Sequence, residues 1–149
     1  IMSLGNVFDI AGSGMNAQSM RLNTTASNIA NAESASSSID ETYRARKPFF
    51  AVMHKESLNV NKNNEFHSKG SEIGAGVEVK GIVESDAPLQ PRFQPDHPLA
   101  NEEGYVYYPN VNVVEEMTDM MSSSRSYQMN VEVLKTAKQM LQRTLMLGE

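Results

Sequence analysis

Side chains that could do acid–base chemistry occur in this sequence, but they do not stand at catalytic spacings. Two pairs of adjacent carboxylates, Glu102–Glu103 and Glu115–Glu116, are the first candidates. On a strand, the side chains of the first pair would face opposite ways. The second pair falls in the first turn of a predicted helix, where a carboxylate is expected to complement the helix dipole. Neither pair therefore indicates a general acid–base site.

Motifs for metal binding, nucleophilic catalysis and phosphate binding are missing too. The histidines, His54, His67 and His97, have no second ligand at a fixed short spacing. Ser122–Ser124 lack the flanking glycines of a nucleophile elbow. Gly74–Gly76 is not followed by the lysine and helix of a phosphate loop, so a hairpin turn or bulge is expected there. We expect no enzyme activity, no cofactor, no metal and no small-molecule substrate.

The composition argues against further classes of function. At 149 residues, the chain has the length of one ordinary domain. Its formal net charge of −5 gives no reason to expect nucleic-acid binding, and a chain without cysteine has neither disulfides nor thiol chemistry. No segment reaches the roughly 18 apolar residues of a membrane-spanning helix, so direct membrane insertion is not expected. The N-terminal residues show no basic region followed by an apolar core, so a cleaved signal peptide is not expected.

The strongest pattern is a seven-residue repeat of apolar side chains near both ends. The N-terminal row is Phe8, Met15, Leu22 and Ile29. The C-terminal rows are Val113, Met120, Tyr127, Leu134 and Leu141, and Met117, Ser124, Val131 and Leu145. Alternating spacings of three and four place side chains on one helical face, and a sustained repeat of seven defines a coiled-coil seam. We therefore predict two terminal helices that pack together.

The N-terminal helix is poor in charge. Residues 2–30 contain only two charged side chains, Asp9 and Arg21, whereas a solvated helix normally carries many more. This composition favours burial against other protein on most sides. The glycines of this stretch are consistent with close packing of another helix or with local flexibility. Met121 and Met140, which lie off the seam, are candidates for contacts with neighbouring subunits.

The middle of the chain is predicted to be β-rich. The expected strands are Tyr43–His54, Ile73–Glu84 and Tyr105–Tyr108. Four prolines between residues 88 and 98 predict an extended connector. The second helix is expected to begin after Asn112, which forms a capping box with Glu115 three residues later.

These elements combine into an α+β fold. Two long terminal helices form an antiparallel coiled-coil hairpin, and a small β-rich domain is inserted between them. The predicted boundaries are 2–32 for the N-terminal helix, 33–110 for the middle domain with its loops, and 111–149 for the C-terminal helix. Such a shape is suited to building assemblies rather than to forming an active-site cleft.

Asn28 and Asn31 add polar groups to the N-terminal helix. They lie three residues apart and share a face if the helix continues, although asparagine is a poor helix former. We expect their amides to bond to a neighbouring subunit, and the alternative is that Asn31 ends the helix. The full set of predicted seam and assembly residues is Phe8, Met15, Leu22, Asn28, Ile29, Asn31, Val113, Met117, Met120, Tyr127, Val131, Leu134, Leu141 and Leu145.

The N-terminal segment resembles a known family. Residues 2–32 are similar to the amino-terminal motif of the flagellar rod, hook and hook-associated proteins, and the shared element is the run Thr25–Ala32. The segments most similar to the proximal-rod branch of that family are Tyr105–Met117, Ser122–Gln128 and Val131–Leu147.

The resemblance implies a structural subunit of the flagellar basal-body proximal rod. Such subunits assemble helically with copies of themselves and with other rod proteins to form part of the drive shaft. The resemblance also implies export through the flagellar type III apparatus without a cleaved signal, and a place in the periplasm-spanning rod. Two alternatives stay open: a sister rod protein, against which the run Ser124–Gln128 argues, and a stand-alone exported coiled-coil interaction module, which would be a stable monomer or dimer in isolation.

The polar, asparagine-rich segment Glu56–Ser71 is predicted to be a loop on the outer surface. Deletion of Asn61–Asn64 should therefore leave rod assembly intact, as measured by counting rods in purified basal bodies. Normal export of the shortened chain without rods would show that the loop makes an essential contact.

Overall fold

Two long helices flank four strands in the computed structural model, which describes residues 4–54 and 74–147. The elements are α1 (Leu4–Asn31), β1 (Arg46–His54), β2 (Gly74–Glu84), β3 (Gln90–Phe93), β4 (Tyr105–Tyr108) and α2 (Val113–Met146). The broad α+β class is confirmed, with terminal helices and small antiparallel sheets between them. The predicted loop Glu56–Ser71, which includes His67, lies outside the described residues.

Asn112 begins α2 as its N-cap. Its side-chain oxygen accepts hydrogen bonds from the backbone N–H groups of Val114 at 3.1 Å and Glu115 at 3.5 Å. These are among the first four N–H groups, which a helix leaves without internal partners. The Glu115 carboxylate, expected to complete a capping box, instead accepts a hydrogen bond from Lys47 Nζ at 3.2 Å. The start of α2 is thereby linked to β1.

The helices α1 and α2 pack against each other and run in opposite directions along their contact. The contacts that establish this order are Asn28 with Glu116, Arg21 with Asp119, and Gly14 with Asn130. Residue numbers rise on one helix as they fall on the other, so the two chain directions are antiparallel.

The strands β1 and β2 form an antiparallel ribbon that lies along α1. The backbone N–H of Val77 donates to Ser13 Oγ of α1 at 3.1 Å. Near the other end of the ribbon, both backbone groups of Arg46 bond to the Asn28 side chain of α1. These two attachment points on α1 are separated by about 22 Å at a rise of 1.5 Å per residue. The ribbon is therefore held to the helix at two well-separated places.

The strands β3 and β4 form a second two-stranded antiparallel sheet. The proline-rich stretch, predicted to be only a connector, contributes β3, in which Pro91 pairs with Tyr107. Each strand of a two-stranded sheet has a free edge, and a proline is tolerated where its missing N–H faces that edge. Ser36 also forms a bridge to Tyr107, which attaches the serine-rich segment after α1 to this sheet.

The hydrophobic core is small. Its cluster consists of Ala32, Ala45 and Val111, with Tyr43 and Val113 packed against it. Many large apolar side chains stay exposed, because a long helix pair with two ribbons encloses less volume than a sphere would. Within residues 4–54 and 74–147, neither helix is long and apolar enough to cross a membrane.

Gly76 marks the closest approach of β2 to α1. Its φ is +145°, and an added Cβ would collide with Ser13 Oγ. Gly76→Ala should therefore lower the free energy of unfolding by about 1–3 kcal/mol, measured by urea denaturation. Gly81→Ala on the same strand is the matched control, because its added Cβ has nothing within 4 Å, and it should change stability by less than about 0.5 kcal/mol. Equal losses in both variants would contradict this close approach.

Candidate functional site: the polar junction of helices and sheet

The face on which α1 and α2 meet is built from small and polar side chains. On α2 the row with a period of seven is Glu116, Ser123, Asn130 and Ala137, of which all but Asn130 are buried. On α1 the residues that contact α2 include Gly14, Arg21 and Asn28, which also recur every seven. Small side chains allow two helix backbones to approach closely. Each of these α1 residues directly precedes, in sequence, one member of the predicted apolar row Met15, Leu22 and Ile29.

The predicted seam residues differ in how far they are exposed in the single chain. The partly exposed members are Phe8, Met15, Leu22, Ile29, Asn31, Val113, Met120, Val131 and Leu134. The exposed members are Met117, Tyr127, Leu141 and Leu145, whose exposed fractions range from 37% to 66%. Only Asn28 of the set is buried. A single chain leaves much of this surface available, and its role in assembly stays a prediction.

Asn28 occupies the centre of the contact face and is 1% exposed. Its Nδ2 donates to the Arg46 carbonyl oxygen at 2.8 Å and to Glu116 Oε2 at 3.1 Å. Its Oδ1 accepts from the Arg46 N–H and from the Tyr43 hydroxyl, both at 2.9 Å. The side chain therefore uses two donor and two acceptor positions. We call Asn28, Tyr43, Arg46 and Glu116 the Asn28 junction, because one amide joins α1, β1 and α2 there.

This geometry gives the Asn28 amide a role inside its own chain, and the predicted bond to a neighbouring subunit stays a prediction. No donor or acceptor position of that amide is left over. Asn31 is placed differently. It is the last residue of α1, and its Nδ2 donates to the Ser27 carbonyl oxygen one turn back at 2.8 Å. That position is consistent with the alternative that Asn31 ends the helix.

Glu116 carries the charge of the junction. It was expected to complement the helix dipole, but the structure places it in the interior at 4% exposure. Removing a carboxylate from water costs several kcal/mol, and a hydrogen bond to a charged group contributes only about 1.5–3 kcal/mol. Sequence reasoning missed Glu116 because it considered only apolar rows of α2. The available signal was the row of Glu116, Ser123, Asn130 and Ala137, which also has a period of seven residues but contains no large apolar side chain.

The side chains of the Asn28 junction are engaged in hydrogen bonds or ion pairs. They can therefore hold α1, β1 and α2 in position. The Tyr43 hydroxyl, which donates to Asn28 Oδ1 at 2.9 Å, also lies 3.3 Å from Ser27 Oγ. The Arg46 guanidinium pairs with Glu84 at 2.9 Å and lies 5.4 Å from the centre of the Tyr43 ring. Across the part of the chain that the structure describes, no three His, Asp or Glu side chains are grouped to hold a metal ion. The arrangement therefore fixes three elements relative to one another.

Replacing Asn28 by alanine should lower the free energy of unfolding by about 3 kcal/mol in urea denaturation. The reason is that buried polar groups, among them the Glu116 carboxylate and the Tyr43 hydroxyl, lose their amide partner. Asn31→Ala is the matched control, because it removes one local bond from a partly exposed residue, and it should cost less than about 1 kcal/mol.

The charge of Glu116 can be tested in the same assay by a double-mutant cycle. In a Glu116→Gln background, Asn28→Ala should lower the free energy of unfolding by at least about 1 kcal/mol less than it does in the wild type. The reason is that the buried side chain at position 116, which loses its hydrogen bond, is then neutral. Strictly additive losses would show that the bond between Asn28 and Glu116 contributes nothing to stability.

Two family models match the segments that contain Asn28 and Glu116. A family model described as "Flagella basal body rod protein" matches residues 8–33, which lie largely in α1. A model described as "Flagellar basal body rod FlgEFG protein C-terminal" matches residues 102–147, which include β4 and α2.

Curated relatives match the chain along nearly its whole length. The flagellar basal-body rod protein FlgC of Escherichia coli O157:H7 is 47% identical over 148 residues, which are 99% of this chain and 100% of that protein. The FlgC protein of Salmonella typhimurium is 45% identical with the same coverage. That of Borreliella burgdorferi is 33% identical over 156 residues and 97% of each chain. At this identity and coverage, the chain belongs to the FlgC family of flagellar basal-body rod proteins, and it is a structural component of the rod rather than an enzyme.

Proposed function

We propose that this chain is a helically assembled subunit of the proximal rod, packed against copies of itself and other rod proteins as part of the flagellar drive shaft. The observation that carries the proposal is the exposure of its apolar heptad rows. Met117, Tyr127, Leu141 and Leu145 lie on the predicted seam of α2 and are 37–66% exposed in the single chain. Extended apolar surface of this kind marks a protein interface.

In the assembled rod, the α1–α2 pair serves as an antiparallel coiled-coil hairpin whose outer rows are completed by neighbouring subunits. The antiparallel order of the contacts and the seven-residue period of the contact row support this part of the proposal. So does the low charge of α1, in which Arg21 is paired with Asp119 at 2.8 Å. Residues 2–32 and 111–149 then form the inner part of the rod, and residues 33–110 face outward.

Family membership also supports an inference about how the chain reaches the rod. We infer that the chain is exported by the flagellar type III apparatus without a cleaved signal peptide and ends in the periplasm-spanning rod. Identity of 45–47% to FlgC proteins over 99% of the chain favours the proximal-rod assignment over a sister rod protein.

Tyr127→Asp tests assembly with little effect on the fold. Tyr127 is 37% exposed in the middle of α2, so the variant should unfold within about 1 kcal/mol of the wild type. It should nevertheless abolish rod formation, because a charge without a partner is costly to bury at an interface. The measurements are urea denaturation of the isolated chain, export of the chain, and swimming with counts of rods in purified basal bodies.

Gln128→Asp is the matched control, because it places the same charge on the next residue, which is exposed and outside both predicted rows. This variant should build rods and swim normally. Rods formed at wild-type frequency with Tyr127→Asp would contradict the interface, and loss of rods with both variants would show that α2 tolerates no added charge on either face.

A further inference from the structure

A groove opens beside the Asn28 junction, between α1, β1 and the first turns of α2. Its volume is about 380 Å³. Its lining includes the basic side chains of Arg21, Arg46 and Lys47, the ring of Phe50, and the carboxylates of Glu116 and Asp119. We call it the Glu116 groove.

The basic side chains of this groove are paired with carboxylates other than Glu116. The pairs are Arg21–Asp119 at 2.8 Å, Arg46–Glu84 at 2.9 Å and Lys47–Glu115 at 3.2 Å. Asp119 lines the groove together with Glu116, whereas Glu84 and Glu115 lie outside its lining. Each of the three cations therefore has a carboxylate partner already, and none of these pairs involves Glu116.

Glu116 is buried more deeply than the members of these pairs. It is 4% exposed and accepts a hydrogen bond from the neutral amide of Asn28. Among residues 4–54 and 74–147, no basic side chain pairs with its carboxylate within 4.0 Å. Buried carboxylates are normally paired with a cation or a metal. The groove is therefore suited to a cationic side chain that residues 4–54 and 74–147 of the same chain do not bring to it.

A matching surface lies at the other end of α2. Residues 138–147, which we call the α2 tip, contain two basic residues and no acidic residue, and all of their side chains are exposed. In the antiparallel packing, Leu4 of α1 lies opposite about residue 140, so the end of the tip extends past the described start of α1. Arg143 shares a helical face with Met140 and Leu147, which are 56% and 88% exposed. One face of the tip therefore presents a cation between apolar side chains.

The tip cannot reach the groove of its own chain. Glu116 and Arg143 lie on the same helix, and 27 residues at 1.5 Å each separate them by about 40 Å. Any pairing between these two residues must therefore join different copies of the chain.

We infer that the α2 tip of one copy docks into the Glu116 groove of the next, with the Arg143 guanidinium on the Glu116 carboxylate and an apolar neighbour against Phe50. The inference rests on the proposed assembly of copies and names the surfaces through which they meet. Because groove and tip are different patches at opposite ends of α2, the contact is head-to-tail. Head-to-tail contacts that do not close into a ring propagate as a helix.

Cross-linking tests the contact cleanly, because the chain has no native cysteine. Lys47→Cys in the groove and Leu147→Cys beside Arg143 are placed in separate copies and co-expressed in a flagellated strain. Purified basal bodies are treated with a short thiol-to-thiol cross-linker. A dimer of this chain should form, and adding Arg143→Ala to the Leu147→Cys copy should lower its yield about tenfold. Lys138→Ala, which removes the same charge from another face of the tip, should change the yield less than about twofold.

Three results would overturn the docking while leaving the rod function in place. One is the presence of both variants in rods without a cross-linked dimer. Another is an equal dimer yield when Arg125→Cys, on an exposed site in the middle of α2, replaces Leu147→Cys. The third is a product that contains a different protein instead of a second copy. Failure of the proposed function would look different, because the chain would then be missing from purified rods.

Discussion

One side-chain amide is hydrogen-bonded so that it joins α1, β1 and α2. Asn28 links α1 to the first residue of β1 and to the first turn of α2. Each of its hydrogen bonds contributes only about 0.5–1.5 kcal/mol net, but each buried group left without a partner costs about 1–3 kcal/mol. Asparagine offers two donor and two acceptor positions, whereas ionised aspartate offers acceptors only and would add a second negative charge beside Glu116. The identity of this residue is therefore dictated by the groups around it.

The same bond constrains how the two helices pack. Asn28 Nδ2 and Glu116 Oε2 lie 3.1 Å apart, which requires a close approach of the helices, and a close approach requires small side chains along the contact. Gly14 meets this requirement, because an added Cβ there would lie 3.0 Å from Asn130 Nδ2. A shift of one residue rotates a side chain about 100° around a helix. The apolar row Met15, Leu22 and Ile29 is therefore rotated by about that angle from the contacts at Gly14, Arg21 and Asn28, and it is partly exposed in the single chain.

Sequence patterns gave the elements of this fold more accurately than the contacts between them. Apolar periodicity and alternation predict α1, α2 and the strands near residues 46–54, 74–84 and 105–108, because each pattern reflects local geometry. The strand at Pro91 was not predicted, because proline is tolerated only where a neighbouring strand leaves the right edge free, and that depends on tertiary structure. The hydrogen bond of Glu116 to Asn28 also depends on tertiary structure, since this amide partner lies 88 residues away in sequence. Contacts of α1 with α2 recur every seven residues, at Gly14, Arg21 and Asn28, and the predicted apolar seam stays a prediction.

The attachments of the ribbon bear on its orientation relative to α1. A sheet joined to a helix at one point can rotate about that point, whereas two separated attachments fix its direction. The ribbon is bonded to α1 at Asn28 through Arg46 and at Ser13 through Val77, and the two sites are about 22 Å apart along the helix. Gly76 beside Val77 allows the second attachment, because any side chain at that position would meet Ser13. The orientation of the β1–β2 ribbon relative to α1 is therefore fixed by two bonded sites.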